Sequence, residues 1–268
     1  MHKPHVLTGD APVPRYALLP GDPGRVPIIA AGWDSYEEVS FNREFRYARG
    51  KSGGVALAAC STGIGAPSTE ITLMDLAAAG GDTFIRVGTC GAVQPEIAIG
   101  TVVIQEGAVR LVGSPDAYCE PSYPAIADRD LTLALIEACE QLGIVYTVGL
   151  TASVDSFFAG EDNPIPVPLD LPAKVPFAEK MRGYGVATFE MEAAALFVLG
   201  RLIKRRCASI CAVGSNRVTG ERRDVPEAVA DVARAATRAV EILAGWDALL
   251  AAGERRYLSP SLLLRSRT

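Results

Sequence analysis

The chain has 268 residues, 49% of them hydrophobic, and a formal charge of −5. That length suits one sizeable α/β core, and a modest acidic balance without a basic stripe argues against binding along a nucleic-acid backbone. No apolar stretch is long enough to cross a bilayer, and MHKPHVLTGD lacks the apolar region of a signal peptide, so a soluble cytoplasmic protein is expected.

Apolar runs of strand length alternate along the chain with amphipathic runs of helix length. YALLP (16–20) and VALAAC (55–60) read as strands, and PSTEITLMDLAAAG (67–80) as a helix with proline in its first turn and glycines at its end. TFIRVG (83–88) is the next strand, and TVVIQEGAVRLV (101–112) holds one or two more. DLTLALIEACEQLG (130–143) reads as a helix, followed by the strand VYTVGLTAS (145–153). NPIPVPLDLP (163–172) has four prolines in ten residues and reads as a loop or flap. A helix over 190–203, the strand CASICAV (207–213) and a long helix over 225–246 complete the pattern. The expected fold is a single-domain α/β/α sandwich over residues 1–252 around a central sheet, with a basic tail over 253–268 that carries the apolar cluster Leu262–Leu264. The six cysteines form no C-x-x-C pair and fit buried free thiols better than a disulfide framework.

Three glycine-rich turns and one acidic pair carry the chemistry. YALLP ends in Gly21-Asp-Pro-Gly-Arg25, where converging backbone N–H groups and a guanidinium suit an anion. Walker A spacing is absent there. The turn Ser61-Thr-Gly-Ile-Gly-Ala-Pro-Ser68 has the look of a dinucleotide fingerprint, but Ser68 stands where a third glycine or alanine belongs, and Asp82 precedes its strand rather than ending it. In the third turn, Arg86-Val-Gly-Thr-Cys-Gly-Ala-Val-Gln94, an arginine inside a buried strand is costly unless it faces an anion or a partner. FEMEAAALF (189–197) sets Glu190 and Glu192 at the mouth of an apolar helix, where acids also complement a helix dipole. No histidine pair or cysteine cluster has zinc-ligand spacing.

GDPGRV, NREF (42–45), CSTGIGAPSTEI (60–71), IRVGTCGAVQP (85–95), TASVDSFF (151–158) and FEMEAAALF, in this order from about residue 16 to 217, resemble the nucleoside phosphorylase family, and most closely its uridine branch. The resemblance implies a mixed sheet bending toward a barrel, and phosphate-dependent cleavage of a nucleoside to free base and (deoxy)ribose 1-phosphate. It implies no cofactor beyond inorganic phosphate as co-substrate, and a homodimer unit that assembles into a hexamer. Carried onto this chain, phosphate lies on Gly21, Arg25, Arg86 and Thr89, with Arg43 from the neighbouring subunit. Ribose lies on Glu190, Met191 and Glu192, with His5 from the partner, and the base on Cys90, Gly91, Phe157, Glu161, Asn163 and Ser215. Arg86, Glu192 and Asn216 are the catalytic set, and Glu44, Ile64 and Ser68 match positions that hold a monovalent cation.

The base pocket departs from the uridine branch, where a glutamine and an arginine read uracil: Glu161 and Asn163 stand in their places. An ionised carboxylate accepts hydrogen bonds and donates none. A pyrimidine or atypical nucleoside is expected, with a 6-oxopurine as the alternative, read by Asn216 at O6 and N7 and by Glu161 at N1–H. A nucleoside hydrolase has no need for Arg25, Arg43 and Arg86 together, whereas a silent nucleoside-binding protein remains a further alternative.

Overall fold

The structure, a computed structural model, describes residues 3–170, 172, 175–253, 257–259 and 261. Its elements in chain order are β1 (Tyr16–Leu19), α1 (Arg25–Ala30), β2 (Ser35–Asn42), β3 (Phe45–Ser52), β4 (Val55–Cys60), α2 (Ala66–Ala78), β5 (Thr83–Ala92), β6 (Val102–Leu111), β7 (Ala125–Ile126), α3 (Arg129–Leu142), β8 (Tyr146–Val154), α4 (Phe177–Gly183), β9 (Thr188–Glu190), α5 (Ala193–Leu202), β10 (Arg206–Asn216) and α6 (Pro226–Ala252). The strands and helices read from the sequence all form, within a few residues of their expected ends. The hairpin β2–β3 and the short elements α1, β7, α4 and β9 went unread, because their sequences are polar or too short to show a period. The proline-rich stretch carries no helix or strand among its described residues. The cluster Leu262–Leu264 lies outside the described residues.

All strands join one mixed sheet. Parallel pairs run β4–β1–β5–β10, and β2 and β3 add antiparallel edges beyond β4. At the other end the sheet closes on itself: β5 pairs β10, β10 pairs β6, β6 pairs β8, β8 pairs β9, and β9 returns to β5. Ring closure removes the unpaired edge that an open sheet would expose. Buried polar side chains cross that ring in a chain of hydrogen bonds. Ser209 Oγ donates to Gln105 Oε1 (2.5 Å), Gln105 Nε2 to Thr188 Oγ1 (3.2 Å), and Thr188 Oγ1 lies 3.0 Å from Thr151 Oγ1.

Helix α5 is buried from Ala193 to Gly200 and packs on α2, β6 and β10, while α6 packs on α1, α3 and strands β4, β5 and β10. A helix apolar on every face can only be interior, which explains the AAALFVLG run. All six cysteines are free, five of them buried. Among the described residues no helix is long and apolar enough to cross a membrane. Because β1, β4, β5 and β10 run parallel, their carboxyl ends meet at one edge, where the glycine-rich turns gather.

Candidate functional site

An open cleft of about 1350 Å³ lies along that edge. Its walls come from the turns after β1 and β4, the end of β5, the segment from β9 into α5, and the chain after β10. The first two turns touch: a Cβ on Gly21 would stand 3.2 Å from the carbonyl oxygen of Gly63. Asp22 Oδ1 accepts from the Gly24 N–H (2.8 Å) and sets the entry to α1, whose first residue is Arg25. Arg25 lines the cleft, and its side chain makes no hydrogen bond or ion pair among the described residues, while its backbone N–H donates to the Asp22 carbonyl (3.0 Å). Burial pushes its pKa down, Asp22 opposes this, and the nearby charge of Arg86 adds to the lowering. A half-buried cation and a buried one facing one cleft call for an anion between them.

Arg86 sits in mid-β5, level with Leu19 of β1 and Ser209 of β10. Its Nε donates to Glu190 Oε2 (2.9 Å) and its Nη2 meets Glu192 Oε2 (2.6 Å). Burial alone would lower its pKa, but Glu192 and other neighbours, Glu190 among them, raise it, so the guanidinium stays cationic. Gly88 leaves the room, since a Cβ there would lie 2.8 Å from both the Arg86 guanidinium carbon and Cys211 Sγ. Thr89, Cys90 and Gly91 carry the same wall onward.

The two glutamates divide the work that the sequence offered to both. The Glu190 carboxylate has no exposed area. Its Oε2 accepts from Arg86, from the N–H of Glu192 (2.8 Å) and from that of Ala193 (2.8 Å), and its Oε1 from Ser153 Oγ. Glu190 therefore caps α5 and offsets the charge of Arg86, with its acceptors used inside the protein, while the residue itself borders the cleft beside Met191 and Glu192. Glu192 borders the cleft, with Oε1 accepting from the N–H of Gly65 (2.6 Å) and Oε2 on Arg86. Burial pushes its pKa up, while Arg86 pulls it down. Gly65 has φ 92° and ψ 164°, a conformation that side-chain-bearing residues avoid, so this anchor needs glycine. Met191 is half-buried on the same wall.

At the far end stand Phe157, Glu161, Ser215 and Arg217. Glu161 Oε2 accepts from Arg217 Nη2 (2.9 Å) and Asn163 Nδ2 (3.3 Å). Burial raises the Glu161 pKa against the pull of Arg217. The Arg222 guanidinium lies 5.8 Å from the centre of the Phe157 ring. Two expected base contacts do not face the cleft. Asn163 Nδ2 donates to the Phe157 carbonyl (2.6 Å) and so holds the loop together. Asn216 Nδ2 donates to the carbonyls of Gln94 and Ile97 (both 2.9 Å), while its Oδ1 accepts from the N–H of Val218 (2.8 Å) and Thr219 (3.1 Å). An amide with both ends occupied by backbone is a turn-former, so neither the catalytic nor the base-reading expectation for Asn216 fits its geometry. Arg217, one residue on, is a cleft residue the sequence reading missed, as are Arg222 and Arg223; an arginine directly after a buried strand was the available signal for the first.

His5 and Arg43 lie outside the chain's own cleft. The His5 backbone is tied to Asp75 Oδ2 (2.6 Å) and Asn42 Nδ2 (2.8 Å), and Arg43 is exposed at the β2–β3 turn with φ 56°. Glu44 and Ile64 line the cleft mouth, and Glu44 Oε1 accepts from Ser68 Oγ (3.0 Å), which also meets the Thr62 carbonyl. Among the described residues no group of three or more histidine, cysteine or acidic side chains is placed to hold a metal ion.

Residues 15–245 match the sequence profile of the Phosphorylase superfamily. The chain is 46% identical over 248 residues to a uridine phosphorylase of Thermococcus kodakarensis, covering 91% of this chain and 87% of that protein. It is 34% identical over 242 residues to a guanosine phosphorylase of Halorubrum lacusprofundi, covering 88% and 95%. A uridine phosphorylase of Escherichia coli is 36% identical over 213 residues, covering 79% and 83%.

Proposed function

This chain belongs to the phosphorylase superfamily, and on that premise we propose that it cleaves the N-glycosidic bond of a nucleoside with inorganic phosphate, uridine being the preferred type. One observation carries the reading: Arg25 and Arg86 face the same cleft beside the Gly21 turn and Thr89, with Glu192 on the adjoining wall. Phosphate rests on the first group and the ribose hydroxyls on Glu192, with Met191 beneath the sugar. A phosphate oxygen supplies the electron pair for the new bond to C1′, and the base leaves with the pair of the old one. Carboxylates near C1′ favour the cationic sugar formed between the two events. Phosphate is the co-substrate and no organic cofactor takes part. A monovalent cation suits the oxygen set of Glu44 and Ser68 near Ile64.

A second subunit completes the site by bringing Arg43 and His5, neither of which reaches the cleft of its own chain; a dimer is the unit and a hexamer its assembly. Six unpaired thiols suit a cytoplasmic setting. A 6-oxopurine nucleoside is the second reading, favoured by the Glu161 carboxylate at the base end and by the guanosine phosphorylase relative.

The test is an HPLC assay on uridine, thymidine, cytidine, inosine, guanosine and adenosine, each with and without phosphate. Base release only with phosphate, matched by ribose 1-phosphate, is expected. Equal release without phosphate would make the chain a hydrolase, and no release at all would make it a binding protein.

A further inference from the structure

Ser153 is not among the residues that wall the cleft, yet it holds the one oxygen of Glu190 that Arg86 and α5 leave over. It sits near the end of β8, level with Glu190 of β9, and is wholly buried. Its hydroxyl donates to Glu190 Oε1 and accepts from the N–H of Ala194 (2.8 Å). Glu190 Oε2 meanwhile serves Arg86 Nε and the N–H groups of Glu192 and Ala193. Ala194 is the second residue of α5, so its N–H is one of those that the first turn of a helix leaves without a helical partner. One hydroxyl, with its donor and an acceptor site both in use, thus pins the carboxylate to the start of the helix.

Arg86 is reached through that pin. Its Nε donates to Glu190 and its Nη2 meets Glu192, so Nη1 is the part of the fork that the protein leaves over. A guanidinium is planar, and fixing Nε sets the direction in which Nη1 points. The carboxylate end of a glutamate has a broad torsional preference of its own, so its plane is set by what holds both oxygens. Without the Ser153 hydroxyl, Oε1 would be a buried acceptor with no donor, and the carboxylate would turn toward the donors now on Oε2, Arg86 among them. Resting on the phosphorolysis read above, we propose that Ser153 is a positioning residue for phosphate: through Glu190 it fixes the plane in which Arg86 offers its remaining N–H groups to the anion, and it touches neither substrate. The ribose end depends on it less, because Glu192 has its own anchor on the Gly65 N–H (2.6 Å).

The experiment measures kcat and the KM values for phosphate and uridine (inosine, if that is the nucleoside cleaved) in the wild type, Ser153→Ala and Ser153→Cys, with thermal melting of each protein. Isothermal calorimetry with inorganic phosphate alone supplies a readout that needs no turnover. Ser153→Ala is expected to weaken phosphate about 10-fold or more in KM and in calorimetric Kd, since a small misplacement of a clamping arginine is costly. The nucleoside KM should move by less than about twofold, a split that a general loosening of the fold would not produce. Ser153→Cys, whose thiol is a weak donor and weak acceptor in the same place, should fall between the two. Unchanged phosphate binding in a folded Ser153→Ala, or equal rises in both KM values, would overturn the positioning role while leaving phosphorolysis standing. If Ser153→Ala does not fold, Ser153→Cys decides, and wild-type phosphate affinity there would overturn the role equally. A wild type that binds no phosphate and cleaves nothing with it removes both readings.

Discussion

Glu190 and Glu192 both border the cleft yet do unlike things, because the turn between β9 and α5 gives Glu190 to Arg86, Ser153 and the first N–H groups of α5 and Glu192 to Arg86 and Gly65. Glu190 offsets the charge of Arg86 where water does not reach. Removing one partner of a buried pair leaves the other uncompensated, so Glu190→Ala is expected to cost about 3–5 kcal/mol and to lower the melting temperature clearly. Glu192→Ala leaves Arg86 its bond to Glu190, so it is expected to melt closer to the wild type yet lose about 10²-fold or more in kcat/KM. Paired melting curves and kinetics check this. The reverse pattern, a stable Glu190→Ala with only a raised KM for nucleoside, would return Glu190 to the ribose. From sequence alone the two acids were indistinguishable, because helix capping and ligand binding ask for the same residue type at the same place.

At the scale of elements, the long helix α6 is tied to the sheet's opposite edge by Asp247. Arg206 Nη1 and Nη2 reach its two oxygens (both 2.8 Å), and Tyr16 Oη donates to Oδ2 (2.9 Å). Burial would raise the Asp247 pKa, but the bonds from Arg206 and Tyr16 hold it below its ordinary value of 3.8. Burial and the same carboxylate push the Tyr16 phenol up to about 12. The folded state thus binds the Asp247 proton less readily than the unfolded chain. Its stabilisation is full above the ordinary carboxylate range and lost as pH falls through the folded value. Asp247→Asn should remove about 1–3 kcal/mol at neutral pH. Its stability curve should also be flatter than the wild type's on the acid side, as followed by denaturant titration at several pH values. Helix ends with local chemistry were readable beforehand: Asp128 caps α3 by accepting from Asp130 and Leu131, and Gly143 ends it in the left-handed region. The tie through Asp247 was not, since its partners lie 41 and 231 residues away.

For the whole molecule, the proposed dimer predicts complementation between subunits. Arg86→Ala and Arg43→Ala damage different chains' share of one site, so each pure protein should be nearly inactive. Random pairing of the two makes half the dimers mixed, and a mixed dimer with isologous symmetry holds one site with both lesions and one with neither. Co-refolded or co-expressed subunits should therefore regain about a quarter of wild-type activity. Mixing without recovery would place Arg43 in its own subunit's site or outside any site.

The chain alone determined the alternation of strand and helix, the three glycine turns, the buried arginine at position 86 and the acidic pair before α5, because periodicity, backbone freedom and the cost of a buried charge are local properties. With them came the family, since the same motifs recur in order. Only the tertiary structure decided which side chains share a cleft. It closed β5, β6, β8, β9 and β10 into a ring, engaged Glu190 with Arg86 and the start of α5, spent the Asn216 amide on four backbone groups, and set Arg217 against Glu161 across 56 residues of sequence. Whether a polar side chain meets a ligand or a backbone group depends on what else has come within hydrogen-bonding distance, and that is settled by the packing of distant segments.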